Sequence, residues 1–240
     1  MCVGRADENL YLLDGNPVYH VNHLLGFFSA FNPDAIKNTR FYKGSFPAEY
    51  GGRLSSVVDV RMNDGNRQEY HGNISVGLLS ARANLEGPIV KDRSSFNVSV
   101  RRTWLDLITG TALAIINKNS DTKESFGYHF FDINAKVNHS FSERSRAYLS
   151  FYMGQDAFRQ GSKEKHEDSD DMFLWRWGNL IGSAGWNYVF GQKLFGNLMV
   201  GYSRFRSHIR QEAKGMRSKE IGKSGNQLSG IAVINRRWRI

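Results

Sequence analysis

Residues 131–141 read FDINAKVNHSF, and this stretch decides the fold class. Two sets of residues alternate along it: the apolar set is Phe131, Ile133, Ala135 and Val137, and the polar set is Asp132, Asn134, Lys136 and Asn138. Successive side chains of a β-strand point to opposite faces, so a period of two separates the sets. The stretch therefore predicts a strand with one apolar and one polar face.

The same alternation continues on both sides of this strand. After a short turn at 142–145, apolar residues recur at every second position from Ala147 to Met153, which predicts a hairpin. Short turns then alternate with longer charged loops, expected at about 155–171 and 207–224. A parity flip at Leu78-Leu79 indicates two strands joined by a tight turn. In all, about eight strands are expected, at 70–77, 80–86, 95–104, 128–140, 146–154, 173–189, 194–206 and 227–240.

Antiparallel strands of this kind, with short turns at one end and longer charged loops at the other, are typical of an outer-membrane β-barrel. Aromatic residues near strand ends are expected to form its interfacial girdles: Tyr128, Phe141, Trp175, Trp177, Trp186, Tyr188, Tyr202 and Trp238. In a soluble carbohydrate-binding β-sandwich, apolar and polar residues also alternate along the strands. Its short and long connections, however, would not be separated between the two ends of the strands, and its strands would usually be shorter. The sandwich is the alternative interpretation.

Composition excludes several other classes of protein. The chain has 240 residues, 40% of them hydrophobic, which suffices for one large domain or two small ones. The longest apolar stretch, 107–116, is interrupted by Thr109, Gly110 and Thr111, so no helical membrane span is expected. The single cysteine, Cys2, cannot form an internal disulfide.

The net charge of +9 is compatible with a nucleic-acid-binding protein. Residues 1–65 carry six basic and seven acidic residues, so the positive charge belongs to 66–240. It is spread along that part, and no basic helix or stripe is apparent. Nucleic-acid binding, which would show a steep salt dependence, is therefore a third and weaker hypothesis.

The composition changes near residue 65, which divides the chain into 1–65 and 66–240. The first part has strand patterns at 10–13, 39–43 and 55–62, and a turn signal at 14–17. Asn32-Pro33 resembles a helix start, which predicts a short helix over 33–37. This part is expected to be a small mixed α and β unit.

Several ordered motifs resemble TonB-dependent outer-membrane receptors. In the plug domain of that family, the similar stretches are LLDGNPVY at 12–19, HLLGFF at 23–28, FNPDAI at 31–36, YKG at 42–44 and FPAEYGGRLSSVVDV at 46–60. In the barrel, they are LEGP at 85–88 and RRTWLD at 101–106. The resemblance covers essentially the whole chain.

The resemblance implies a mainly β protein, with a partial α/β plug at 1–65 followed by about eight antiparallel strands of an incomplete transmembrane β-barrel at 66–240. It further implies a gated importer of a scarce solute of the siderophore, cobalamin or glycan type, and not an enzyme. Such a receptor lies in the outer membrane of a Gram-negative bacterium, in contact with lipid, and is energised by the TonB complex. Transporters of this architecture have 22 strands, so the chain is expected to be a truncated piece that is inactive alone.

Site residues follow from the same comparison. Arg53, after two glycines, is expected to anchor the plug to a barrel-wall carboxylate, with Lys43 and Glu49 as further candidates. The polar residues Asp132, Asn134, Lys136 and Asn138 would line the lumen. His20 and His23 are interpreted as loop histidines, since no further metal-ligand residues lie near them. No catalytic set, metal or cofactor is expected.

Overall fold

Strands dominate the computed structural model, which describes residues 9–43, 50, 55–164, 170–192, 194–212 and 219–236. The strands fall into two groups. Those of the N-terminal segment, defined here as residues 9–64, form small sheets, and those after it form a single large sheet. The change of pattern near residue 65 thus coincides with a change of sheet.

The N-terminal segment is built from six short strands: β1 (Asn9–Leu13), β2 (Asn16–Pro17), β3 (Asn22–His23), β4 (Phe28–Ser29), β5 (Ile36–Lys43) and β6 (Ser56–Met62). Its main sheet has the order β2-β1-β6-β5, in which β1 runs parallel to β6. The helix predicted over 33–37 has the expected cap and first residue but is shorter, a single 3₁₀ turn. Asn32 caps a 3₁₀ turn at Pro33–Ala35, and β5 then starts at the β-branched Ile36.

The large sheet contains eight strands: β7 (His71–Val76), β8 (Ser80–Val90), β9 (Ser94–Thr103), β10 (Thr122–Ser142), β11 (Ser145–Glu164), β12 (Asp170–Val189), β13 (Leu194–Glu212) and β14 (Lys219–Arg236). Each strand pairs antiparallel with the next one along the chain. Within the described residues the sheet is not closed, because β7 and β14 are its edges. The prediction of about eight antiparallel strands in an incomplete barrel is confirmed.

Most strands after β9 are longer than expected. The predicted charged loops at 155–171 and 207–224 were wrong for most of their length, since β11 reaches Glu164 and β13 reaches Glu212. Their backbones remain fully paired with the neighbouring strands in unbroken register. Charged side chains do not end a strand whose hydrogen bonds are satisfied, so polarity alone misplaced these boundaries.

A second difference is the helix α1 (Leu105–Ile116), which lies between the strands expected at 95–104 and 128–140, where no helix was predicted. Its apolar run has few polar interruptions, but Thr109, Gly110 and Thr111 are weak helix formers and concealed it. It packs against β10, and its side chains are at most partly covered. No described helix is both long enough and apolar enough to cross a membrane.

The two faces of the large sheet differ in burial. The inner face touches the N-terminal segment and joins it in an apolar cluster that includes Leu13, Val60 and Met62 from the segment and Tyr152 and Ile181 from the sheet. The apolar side chains of the outer face are half-buried or exposed. This division follows the strand parity read from the sequence.

The aromatic girdle was predicted only partly correctly. Tyr128, Trp175 and Trp177 share the parity of the inner face and pack there with Phe130 and Phe158. Phe141 and Trp186 lie on the exposed outer face, and Trp238 lies outside the described residues. Position near a strand end is therefore insufficient to identify a girdle residue, because the parity decides its face.

Candidate functional site

The candidate site is the buried interface between the N-terminal segment and the inner face of the large sheet. Polar side chains link the segment to five consecutive strands: Asn32 to Ser99 of β9, Asp14 to Lys136 of β10, His23 to Asp156 of β11, Asn16 to Ser183 of β12, and the Pro17 carbonyl to Ser203 of β13. These polar contacts fix the segment to the sheet alongside the apolar cluster described above.

His23 is the centre of this interface. Its ring is 2% exposed and stacks on Phe130 with 4.1 Å between ring centres. Nδ1 lies 2.7 Å from Oδ2 of Asp156, and Nε2 lies 2.8 Å from Oδ1 of Asp132. Two carboxylates from neighbouring strands thus hold one imidazole of the segment.

Arg101 completes the charge balance around this imidazole. Its Nε donates to Oδ2 of Asp132 over 2.7 Å, and its Nη2 donates to the Ser29 carbonyl over 2.7 Å. The guanidinium also lies 5.0 Å from the centre of the Phe130 ring. With His23 protonated, two cations face two carboxylates, which offsets the cost of burying these charges.

Tyr128 joins the same cluster through its hydroxyl group. The hydroxyl donates to Asp156 and accepts the backbone N–H of Leu24 over 2.6 Å. Tyr152 donates to Oδ1 of Asp132 over 3.3 Å. Both carboxylates therefore accept hydrogen bonds from side chains of the sheet in addition to their ion pairs with His23, so the sheet itself helps to hold them in position.

The electrostatics favour the protonated imidazole. Burial lowers the pKa of His23, but hydrogen bonds to Asp132 and Asp156 and their charges outweigh it and raise the pKa from 6.5 to about 9. Burial lowers the pKa of the neighbouring His20. The cationic partner of the two carboxylates is therefore His23.

We expect the attachment of the segment to weaken between about pH 6.5 and pH 9. A pKa raised in the folded state gives stability that is complete below the unfolded pKa and is lost as pH rises through the folded one. Hydrogen exchange of β3 amides in the full-length protein measures this attachment. The protection of these amides from exchange should be greater in the wild type than in His23→Gln, and this difference should fall as pH rises. A difference that does not change with pH would contradict the assignment of His23 as the cation.

A second ionic cluster lies toward the short-turn end of the sheet. Nζ of Lys136 lies 3.3 Å from Oδ1 of Asp14, 3.1 Å from Oδ1 of Asp64 and 3.1 Å from the Met62 carbonyl. Lys37 binds the other oxygen of Asp64 at 2.6 Å. Burial raises the pKa of Asp64, but hydrogen bonds and charges of Lys37 and Lys136 outweigh it and lower that pKa.

The residues named from the sequence are distributed unevenly over this interface. Asp132 and Lys136 contact the N-terminal segment directly, Asn138 donates to the Asp64 carbonyl over 3.1 Å, and Asn134 is buried on the same face. Lys43 is exposed at the end of β5, and its Nζ lies 5.4 Å from the ring centre of Phe41 in the same strand. Arg53 and Glu49 lie outside the described residues.

Sequence reasoning missed His23, Arg101 and Asp156. The interpretation of His23 as a loop histidine was wrong, because the residue lies in β3 and is buried against β10 and β11 of the large sheet. Asp156 shares the parity of the inward Tyr152, and Arg101 pairs with Asp132 across β9 and β10. Charged residues at inward-facing strand positions were the signal available in the sequence. Their convergence on one histidine depends on the tertiary fold.

Aromatic side chains line the inner face beyond this cluster, toward the long connections. Trp175 and Trp177 lie 4.1 Å apart between ring centres, and Phe158 and Phe205 pack beside them. His20 of the segment meets Trp177 edge-on at 5.9 Å. In the part of the chain that the structure describes, no group of three His, Cys, Asp or Glu residues could hold a metal ion.

Close packing at Gly201 gives a second prediction. A Cβ at Gly201 of β13 would collide with the side chain of Asn16, whereas a Cβ at Gly182 of β12 would meet no atom within 4 Å. We expect Gly201→Val to displace the turn at 14–17 and cost about 1–3 kcal/mol of stability, with Gly182→Val much milder. Thermal unfolding of both variants tests this, and equal losses would contradict the packing.

Comparison with protein-family models found no match, and comparison with curated proteins found none. Solved structures are similar. They include the ferric enterobactin receptor PfeA of Pseudomonas aeruginosa, 13% identical, covering 97% of this chain and 48% of that chain with a TM-score of 0.45. The siderophore receptor PirA of Acinetobacter baumannii is 12% identical, covering 98% and 52%, with a TM-score of 0.43. The chain spans about half the length of these proteins, and the likeness concerns the fold alone.

Proposed function

We propose that the chain is part of an outer-membrane receptor that imports a scarce solute and is energised through the TonB complex. Residues 1–65 would belong to the plug and 66–240 to the transmembrane barrel of a Gram-negative bacterium, in a protein that is not an enzyme. The observation that carries this proposal is the polar interface between the N-terminal segment and five consecutive strands. The sequence motifs described above support the same family.

A polar interface suits a plug that must move. Each hydrogen bond between segment and sheet can be exchanged for one to water at a net cost of about 0.5–1.5 kcal/mol. The charged groups also balance one another, with His23 and Arg101 facing Asp132 and Asp156. Displacement of the plug by an external pull would therefore let water replace these polar contacts.

The solute would enter from the side of the long connections, where the inner face is aromatic. Trp175, Phe158 and Phe205 offer ring surfaces, and His20 of the segment lies beside them. Such rings favour a solute that has planar or aromatic groups. Among siderophores, cobalamins and glycans, this surface fits a siderophore with aromatic metal-binding groups best.

The outer face argues against the soluble carbohydrate-binding sandwich. Leu149 is 65% exposed, Val200 47% and Val137 41%, all on the face away from the N-terminal segment. A sandwich would cover such a face with a second sheet. In a membrane barrel, the same apolar side chains would be in contact with lipid.

Uptake assays in a host with and without TonB test the proposal. The full-length protein should fractionate with the outer membrane and increase uptake of at least one of three radiolabelled probes: an iron-loaded catecholate siderophore, cyanocobalamin and a maltooligosaccharide. Loss of TonB should abolish uptake but leave binding at the cell surface. A soluble protein, or uptake that does not depend on TonB, would overturn the proposal.

A further inference from the structure

Cations gather on the outer face of β11–β13, near the ends that lead to the long connections. Their register brings together Arg159, Arg176, Arg204, Arg206 and His208, called here the outer basic patch. Arg176 pairs with His208, and the next outward rows of β13 hold Arg206 and Arg204. The linear sequence does not show this patch, because the sheet aligns residues that lie far apart in the chain.

Directly beside the outer basic patch, the same face becomes apolar and uncharged. The outward positions of β11–β13 on this side hold Ala147, Leu149, Phe151, Met153, Leu180, Gly182, Ala184, Trp186, Leu198, Val200 and Tyr202. From Leu180 to Val189 the strand covers about 30 Å, which is about 23 Å of height at the usual tilt of a barrel strand. That height matches the apolar band of an outer-membrane barrel, so the patch begins at its rim.

A groove of about 370 Å³ runs through the patch and is lined by Arg176, Arg204, Arg206 and His208 together with the apolar Met153 and Leu180. Nε of Arg204 is buried and has no hydrogen-bond partner within the described chain. No described carboxylate lies within 4 Å of the Arg176 or Arg206 guanidinium, and the β14 positions that pair with Arg204 and Arg206 are the uncharged Asn226 and Ser224.

The helix α1 borders the neighbouring groove of about 600 Å³. This groove shares Arg176 with the first, and α1 contributes Leu113 and Ala114 to its wall. Other apolar residues of α1 point away from the protein, with Leu107 61% and Ile115 72% exposed. Cations and exposed apolar side chains therefore lie at one level on the outer face.

We propose that the outer basic patch binds the phosphate groups of an anionic membrane lipid, with the acyl chains lying along Met153, Leu180 and Tyr202. The inference rests on the proposed function, since it needs the outer face to contact lipid. Arginine guanidinium groups bind phosphate through paired, charge-assisted hydrogen bonds, and basic clusters beside an apolar membrane surface attract anionic headgroups.

The patch is separate from the proposed solute site. At the same height the inner face holds Trp175, Trp177 and Phe205, whereas Arg176, Arg204 and Arg206 have the opposite parity and face outward. A bound lipid would therefore not occupy the path of the solute. Its contribution would be to hold β11–β13 at a fixed depth in the membrane.

Lipid binding by the full-length protein in detergent tests this inference. Native mass spectrometry would measure binding of bisphosphorylated lipid A, its dephosphorylated form and inorganic phosphate. The test variant is Arg176→Gln/Arg204→Gln/Arg206→Gln. The control is Arg93→Gln/Arg144→Gln/Arg146→Gln, which removes the same charge from exposed positions at the short-turn end.

We expect the test variant to bind bisphosphorylated lipid A at least tenfold more weakly than the wild type and the control variant. The dephosphorylated lipid should bind all three proteins equally weakly. Equal affinity of the two variants, or displacement of the lipid by millimolar inorganic phosphate, would overturn the inference. Normal TonB-dependent uptake by the test variant would leave the proposed function intact, so the two failures are distinguishable.

Discussion

Asp132→Ala should detach the N-terminal segment from the large sheet more strongly than any other single truncation at the interface. The change leaves His23 and Arg101 buried with Asp156 as their remaining carboxylate. Removal of one partner from a buried ion pair costs about 3–5 kcal/mol, because a charge stays buried without compensation. Urea-dependent proteolysis of the segment in the full-length protein would measure this cost.

Two further variants make the Asp132 result specific. Glu143→Ala changes an exposed carboxylate in the turn between β10 and β11 and should alter stability by less than about 0.5 kcal/mol. Arg101→Gln/Asp132→Asn removes one charge of each sign and should cost less than the sum of its single changes. The charge-balance account fails if Asp132→Ala and Glu143→Ala are equally stable.

A covalent tether between segment and sheet should abolish import. The side chains of Asn16 and Ser183 are hydrogen-bonded across the interface, so the pair chosen for the cross-link is Asn16→Cys/Ser183→Cys in a Cys2→Ser background. Oxidation should eliminate TonB-dependent uptake while surface binding of the solute persists, because the plug can no longer leave the wall. Reduction should restore uptake.

The matched control places the disulfide within the sheet. Ser94 and His139 pair directly between β9 and β10, and their side chains are hydrogen-bonded at 2.7 Å. Ser94→Cys/His139→Cys cross-links two strands and leaves the N-terminal segment free. Oxidation of this pair should not change uptake. Normal uptake by the oxidised Asn16→Cys/Ser183→Cys protein would show that import does not require movement at this contact.

Strand parity explains how much of the fold the sequence predicts. The alternation from Phe131 to Asn138 correctly separated the more accessible outward positions from the buried inward ones, and the parity flip at Leu78-Leu79 correctly divided β7 from β8. Both signals are local, since a β-strand alternates its side chains whatever it packs against. Boundaries were less accurate, because strand ends depend on pairing with neighbours.

The ionic core of the interface could not be predicted in the same way. His23 lies more than a hundred residues before Asp132 and Asp156 in the sequence. Their convergence requires β3 to lie across β10 and β11. The outer basic patch was hidden for the same reason, since Arg176 and Arg206 meet through register. Long-range pairing carries information that composition and local pattern lack.

The accessibility of spin labels along β10 tests the central claim most directly. Nitroxides placed singly at Ile133, Asn134, Ala135 and Val137 of the full-length protein in lipid vesicles would report collisions with oxygen and with a water-soluble nickel chelate. The account predicts high oxygen and low nickel accessibility at 133, 135 and 137, and low accessibility to both at 134, which faces the N-terminal segment. High nickel accessibility at 133, 135 and 137 would place this face in water and contradict a membrane barrel.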